Sequence, residues 1–328
     1  MSGFEGVWTE KGVEALCLFP VSLIYAGGWI AYEAIYKFGW KTAAAPHRSI
    51  ITIGNLIAGG SGKTPTTIYV ASLLRQLGSD PVISISGYGS PASADAKLAP
   101  EGELSAREWG DEAAMVRWMF PDQALVVGRD RVMAAQLVHQ AFPQRVMLMD
   151  DGFQHLRLEQ PATIVLDPPP PNDFCLPAGP YREPRGLGRS RARLLLPSDR
   201  FAWNRSKTLF RQVLGQQVDF KGQGANVLCA VARPYRLIHS LRSEGIETKV
   251  VRVLPDHDPL TRGTLLDDFD PAVPLIVTAK DWVKLRERND IEGRTVIACW
   301  YEAAVHPEEE FLECLREILN EFGQEADS

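Results

Sequence analysis

Residues 49–64 read SIITIGNLIAGGSGKT, and this stretch decides the fold. Its first half, residues 49–56, is uncharged and dense in β-branched side chains, the pattern of a strand buried on both faces. It runs into the loop Ala58-Gly59-Gly60-Ser61-Gly62-Lys63-Thr64-Pro65, and an apolar-periodic helix over residues 64–77 follows, closed by Gly78. Strand, glycine loop and helix in this register read as a phosphate-binding loop. The glycines let successive backbone N–H groups curl around phosphate oxygens, with the helix N-terminus behind them. Lys63 is then placed to reach the β- and γ-phosphates, and the Thr64 hydroxyl to bind Mg2+. The common form G-x-x-x-x-G-K-T has glycine where this chain has Ile57, so the loop is a variant.

Working outward, strands are expected at residues 81–86, 124–127, 145–149 and 163–166, with helices at 112–119 and 129–140. The alternation implies a P-loop NTPase-type parallel sheet with helices on both faces. The strand at 145–149 ends in Asp150-Asp151, a carboxylate pair suited to Mg2+, and Gly152-Phe153-Gln154-His155 follows with two polar side chains beside it. Residues 168–197 break the rhythm: Pro168 to Pro171 cannot form a central strand. This loop-like stretch carries Arg182, Arg185, Arg189, Arg191 and Arg193, and guanidinium suits phosphate recognition. A second alternation runs from 226 to 322. The chain therefore divides into an N-terminal segment (1–42), a P-loop domain (43–224) and a smaller C-terminal α/β domain (225–328).

The 328 residues are 45% apolar and 23% charged, which excludes a disordered chain, a collagen-like repeat and a coiled coil. The formal net charge of −6 argues against non-specific nucleic-acid binding, so anionic ligands need a local basic cluster. Five cysteines, none at metal-ligand spacing, point to a reducing compartment without disulfides or zinc. Residues 15–32 carry no charge, and aromatics recur at Trp29, Tyr32, Tyr36, Phe38 and Trp40, a mix suited to a membrane interface. Pro20 and Gly27-Gly28 are expected to interrupt this run. A pair of core helices or a full span are the alternatives.

Several motifs together resemble the tetraacyldisaccharide 4′-kinase (lipid A 4′-kinase) family. They are Gly54-Asn55-Leu56 before the loop, Gly87-Tyr88-Gly89, Gly110-Asp111-Glu112 and Asp150 to His155. Leu176-Pro177-Ala178-Gly179-Pro180 with Arg182-Glu183-Pro184, Pro255-Asp256-His257 and Val277-Thr278-Ala279-Lys280-Asp281 complete the set. The resemblance runs nearly end to end. It implies transfer of the γ-phosphoryl of ATP to the 4′-hydroxyl of a tetraacylated glucosamine disaccharide 1-phosphate in lipid A biosynthesis. The place of action it implies is the cytoplasmic face of the bacterial inner membrane. It also implies Asp111 as base paired with His257, and Thr64, Asp150, Asp151 and Glu183 around Mg2+. Substrate contacts are expected from Asn55, Gln154, His155 and Arg182. No nucleic-acid or protein partner is expected. A carboxylate base suits a sugar hydroxyl, which is a poor nucleophile. From the residues alone, Asp111 also reads as a helix N-cap and His257 as a solvated loop residue. One motif departs: the family's S-R-G-Y-G has Ser86 in place of its arginine. If that arginine binds substrate or stabilises the transferring phosphoryl, this chain uses another cation, with Arg129, Arg182 or Arg185 as candidates, or acts differently. Two other readings stand beside this one. A membrane-cycling P-loop ATPase switch carries a signature lysine where Ala58 stands, and an inactive lipid-binding relative would not keep Lys63, Thr64, Asp111, Asp150 and His257.

Overall fold

The computed structural model describes residues 7–8, 10–60, 62–170, 172–216 and 222–326. In chain order the elements are α1 (Val13–Lys37), β1 (Ile50–Asn55), α2 (Lys63–Gln76), β2 (Val82–Ile85), β3 (Lys97–Leu98), α3 (Ala106–Trp109) and α4 (Asp111–Met119). There follow β4 (Leu125–Val127), α5 (Arg131–Ala141), β5 (Met147–Asp150), β6 (Ala162–Leu166), α6 (Arg185–Arg191), β7 (Leu194–Leu196) and β8 (Ala202–Leu214). The last are β9 (Gly224–Cys229), α7 (Pro234–Ser243), β10 (Glu247–Val253), β11 (Leu275–Thr278), α8 (Ala279–Leu285), β12 (Val296–His306) and α9 (Glu308–Ala326). Two compact units form: Met1–Ser86 with Asp130–Asn204 and Ala304–Ser328, and Gly87–Arg129 with Arg205–Ala303. Residues 87–129, which the linear division places with the P-loop, thus group with the second unit.

In the first unit, parallel strands run in the order β2-β5-β1-β6-β7. Every residue of β1 is buried, as its uncharged sequence requires. Ile50, Ile51 and Ile53 are fully covered, each contributing about 1.5–3 kcal/mol by its burial. Ile53 lies opposite Asp150, so the loop leaving β1 and the acid ending β5 share the carboxyl edge of the sheet, where α/β folds bind ligands. Helix α2 seats Val70, Leu73 and Leu74 in the core. Ile57, the departure from the common loop pattern, is buried with Leu56, Phe153, Val165 and Tyr181. The position serves as an apolar anchor, where glycine would contribute nothing.

Helix α1 is one continuous element through both Pro20 and Gly27-Gly28. Pro20 lies on an exposed side, so the backbone bond it forgoes leaves a carbonyl that water can satisfy. Helix α6 was also unexpected, since RGLGRSR contains two glycines. It is held from outside: the buried Asp167 carboxylate accepts from Arg185 at 2.9 Å and Arg189 at 2.7 Å. A side chain at Gly188 would strike Leu56 Cδ2 at 2.5 Å.

In the second unit the sheet order is β10-β9-β11-β12-β8, and β9 to β12 pair in parallel. Its core holds Val227, Leu237, Leu241, Ile276 and Ile297. The edge strand β8 has no counterpart in the sequence reading. Arg205, Lys207 and Arg211 dilute its apolar signal, as cations on edge strands commonly do. Helix α4 packs against α8, which brings the motifs Gly110-Asp111-Glu112 and Val277-to-Asp281 together.

Candidate active site

The phosphate end of the site is built at the junction of β1, α2 and β5. Gly62 takes φ +95° as the residue before α2, a backbone conformation glycine adopts at no steric cost. This turn presents Lys63 and Thr64 at the head of the helix. The Thr64 hydroxyl donates to Asp150 Oδ2 at 2.8 Å, and the Thr67 hydroxyl donates to Oδ1 at 3.1 Å. A buried carboxylate beside a threonine hydroxyl is a pair of hard oxygen donors. That suits Mg2+, which takes one or two protein oxygens and completes its shell with phosphate and water. The set is small, and among the described residues no group of three or more His, Cys, Asp or Glu residues is placed to hold a metal by itself.

Asp151 has a different role. Its φ of +55° turns it off the strand, and it meets Lys63 Nζ at 3.5 Å and Arg182 Nη1 at 3.0 Å. Burial would raise its carboxyl, but the charges of Lys63, Arg182 and Arg131 outweigh it and hold it below the usual carboxylate value. Glu183 is fully buried, with one oxygen accepting from Gln154 at 2.9 Å and the other paired with Arg191. Gln154 also donates to the Asn55 carbonyl at 2.9 Å. Asn55, Gln154 and Glu183 therefore form one chain of contacts. His155 closes the turn through its N–H to the Gly152 carbonyl at 3.0 Å. Ala58, Gly59, Gly60 and Pro65 lie where the sequence places them, whereas Ser61 falls outside the described residues.

The loop carrying Arg182 and Glu183 is pinned from two sides. Ala58 N–H donates to the Pro180 carbonyl at 2.7 Å, and Arg182 N–H donates to the Leu56 carbonyl at 2.8 Å. On the other side, Ser22 of α1 donates to the Cys175 carbonyl at 2.8 Å and accepts from Ala178 N–H at 2.9 Å. Tyr25 donates to the Arg182 carbonyl at 2.6 Å, and Trp29 supports Tyr25 at 2.9 Å. Glu33 lies 3.5 Å from Arg191. Residues 22, 25, 29 and 33 recur at helical spacing, so one polar stripe of α1 braces the site.

In the second unit, Asp111 opens α4 and His257 lies in the loop after β10. His257 Nδ1 stands 3.1 Å from Asp111 Oδ2. The N-cap of α4 is Gly110, so Asp111 is not the capping residue, and its carboxylate meets the imidazole instead. Burial would raise Asp111, but the His257 hydrogen bond and the charges of Lys280 and Lys284 hold it below the ordinary value. The same hydrogen bond raises His257, against burial and Lys280. A carboxylate kept ionised and aimed by an imidazole is a general base in form. His257 also takes φ +61°, a left-handed conformation uncommon for a non-glycine residue.

One contributor has no counterpart in the sequence analysis. Arg131 is buried and donates to Ser84 Oγ at 3.2 Å and to the Asp150 carbonyl at 2.5 Å, holding the end of β5. Arg131→Met should cost about 1–3 kcal/mol in denaturant melts, because a buried carbonyl loses its donor. Unchanged stability would show that the contact contributes nothing. Arg191, read as one of five loop arginines suited to phosphate, is engaged by Glu183, and Lys280, read only as part of a motif, stands beside His257. Of the cations considered for the role left open at Ser86, Arg185 is taken by Asp167, Arg129 is exposed in the second unit, and Arg182 stands at Asp151.

Comparison with known proteins agrees with this construction. The family model for LpxK, tetraacyldisaccharide-1-P 4′-kinase, matches residues 14–320. The tetraacyldisaccharide 4′-kinase of Verminephrobacter eiseniae is 33% identical over 306 residues, covering 85% of this chain and 67% of that protein. That of Halorhodospira halophila is 33% identical over 294 residues, covering 86% and 87%. The crystal structure of LpxK from Aquifex aeolicus in complex with ATP superposes with a TM-score of 0.75 at 24% identity, covering 93% of this chain and 99% of that one. That likeness shows the fold. With a family model spanning nearly the whole chain and relatives at one-third identity, this chain belongs to the tetraacyldisaccharide-1-P 4′-kinase family.

Proposed function

We propose that the chain transfers the γ-phosphoryl of ATP to the 4′-hydroxyl of a tetraacylated glucosamine disaccharide 1-phosphate at the cytoplasmic face of the inner membrane. The observation that carries this reading is the Asp111–His257 contact of 3.1 Å. A nucleotide switch needs no base for a sugar hydroxyl, whereas an alcohol kinase does. Asp111 accepts the proton of the 4′-hydroxyl as the oxygen–phosphorus bond forms and the bond to ADP breaks. Lys63 exchanges its contact with Asp151 for phosphate oxygens. Arg182 stays as the second cation, in the role that Ser86 leaves open. When bound at Thr64 and Asp150, Mg2+ supplies charge neutralisation for the β- and γ-phosphates. Asp151 and Glu183 act around it: Asp151 by balancing Lys63, Glu183 by holding Gln154. Gln154 and His155 are the proposed acceptor contacts, and Asn55, which is fully buried, supports Gln154 through its carbonyl. The test is acceptor dependence. ATP consumption should rise only when the disaccharide 1-phosphate lipid is present. Equal ADP release with and without acceptor would favour a switch.

Helix α1 fits an interfacial anchor. It is 25 residues long, and its most apolar 18-residue window has mean hydropathy 1.6 with only 11% of that window buried. Val13, Leu16, Val21, Leu23, Ile24 and Ile30 are exposed, while its polar stripe holds the first unit. A helix so arranged lies on the bilayer by its apolar side. Deleting residues 1–40 should abolish co-sedimentation with anionic vesicles and also lower kcat, because Ser22, Tyr25 and Glu33 leave with it. Wild-type kcat on detergent-solubilised acceptor would contradict the bracing role. Retained vesicle binding would contradict the anchor.

A further inference from the structure

We propose that Lys280 is a positioning residue that fixes which nitrogen of His257 carries the proton, and so makes His257 a donor to Asp111. The inference rests on the reading of Asp111 and His257 as the base unit. Lys280 Nζ stands 3.3 Å from His257 Nε2. An ammonium has only N–H groups and no lone pair, so it can meet Nε2 only if that nitrogen is bare. The proton of the neutral ring then sits on Nδ1, which points at Asp111 Oδ2 at 3.1 Å. The imidazole is thereby held as a donor that orients the carboxylate, and the carboxylate takes the proton from the acceptor hydroxyl.

The other groups facing the ring do not compete for Nε2. Asp256 Oδ2 is 3.9 Å away, beyond hydrogen-bond reach. Tyr88 lies with its ring centroid at 6.0 Å. Lys280 itself is largely buried, its side chain 17% exposed, with Glu112 Oε1 at 3.5 Å and Asp111 Oδ2 at 3.8 Å. Two acids stabilise its charge, so it remains an ammonium in spite of burial.

The first turn of α8 is built to hold this geometry. Asp281 is fully buried, donates its N–H to the Thr278 hydroxyl at 3.1 Å and accepts from that hydroxyl at 2.7 Å. It also accepts from Ala230 N–H at 3.0 Å, which ties the helix start to the end of β9. One turn on, Lys284 donates to the Asp258 carbonyl at 2.8 Å and holds the loop that carries His257. The same helix thus fixes the backbone of the imidazole and one of its nitrogens.

The experiment combines 15N-histidine NMR with the pH dependence of kcat in the wild type, Lys280→Met, Lys280→Gln and Lys280→Arg. In the wild type, neutral His257 should carry its proton on Nδ1. In Lys280→Met and Lys280→Gln, Nε2 is freed and a nearby positive charge is lost. The imidazolium then becomes easier to form, so His257 should titrate at higher pH, and the neutral ring of Lys280→Met should mix its tautomers. An imidazolium beside Asp111 makes the carboxylate a weaker proton acceptor, so the acidic limb of kcat should move to higher pH. At neutral pH kcat should fall about ten- to a hundredfold with KM for ATP unchanged, the scale of a misplaced catalytic group. Lys280→Arg should restore the limb. If Lys280→Met keeps both the wild-type tautomer and the wild-type limb, the inference falls, whatever the loss in rate. Should Lys280→Met not fold, Lys280→Gln gives the same titration and limb readouts. Retained kcat in Asp111→Ala would instead overturn the reading of Asp111 as base.

Discussion

Lys63→Ala should reduce phosphotransfer by on the order of 10³-fold or more while leaving the melting temperature nearly unchanged. Phosphoryl transfer leaves little covalent work to the protein, so rate depends on charge placed at the phosphates. Lys63 opens α2 at the turn set by Gly62, and its side chain stands 3.5 Å from Asp151. Removing it does not strand that acid, because Arg182 remains at 3.0 Å. Asp150→Asn should fail to a similar degree for the complementary reason: it keeps an oxygen for the Thr64 or Thr67 hydroxyl but loses the charge that suits Mg2+. Melting curves and ATP-to-acceptor transfer check both variants. Turnover near wild type in either would overturn the phosphate-site assignment.

Asp111→Ala and His257→Ala should each lower kcat strongly, by about 10²–10⁴-fold for Asp111, with ATP affinity nearly unchanged. The double variant should lose little beyond the worse single one, because groups that act as a unit are non-additive. The 3.1 Å contact and the opposite displacements of the two groups, Asp111 downward and His257 upward, come from one shared hydrogen bond. Losses that multiply would mean that the two act independently. Single-turnover kinetics at saturating ATP separate this chemical step from product release.

The stretch from Ser49 to Thr64 and the acids after β5 were legible because each rests on local rules: an uncharged strand, a glycine turn, a carboxylate at a strand end. The pairing of β1 with β5 then follows from the parallel sheet. What was not legible depends on groups distant in sequence. Helix α6 exists because Asp167 holds two of its arginines, and nothing in RGLGRSR says so. Glu183 reads as a possible metal ligand from its motif, yet its carboxylate is engaged by Gln154 and Arg191. Arg131 and Lys280 look like ordinary helix cations until their partners are in place. Helix α1 misled in two ways. Pro20 and the glycine pair did not break it, and its apolar composition concealed the spacing of Ser22, Tyr25, Trp29 and Glu33. An anchor separable from nucleotide chemistry is what composition suggests, whereas the contacts of that stripe join it to the loop bearing Arg182.

The measurement that tests the account most directly is the position of the new phosphate on the product. Purified protein, ATP, Mg2+ and a tetraacylated disaccharide 1-phosphate in detergent should yield a bisphosphate whose second phosphate, located by phosphorus–proton correlation NMR, is on the 4′-oxygen. Formation of that product should be lost in Lys63→Ala and Asp111→Ala. A phosphate at any other position, or ATP consumed with the lipid left unmodified, would contradict the account.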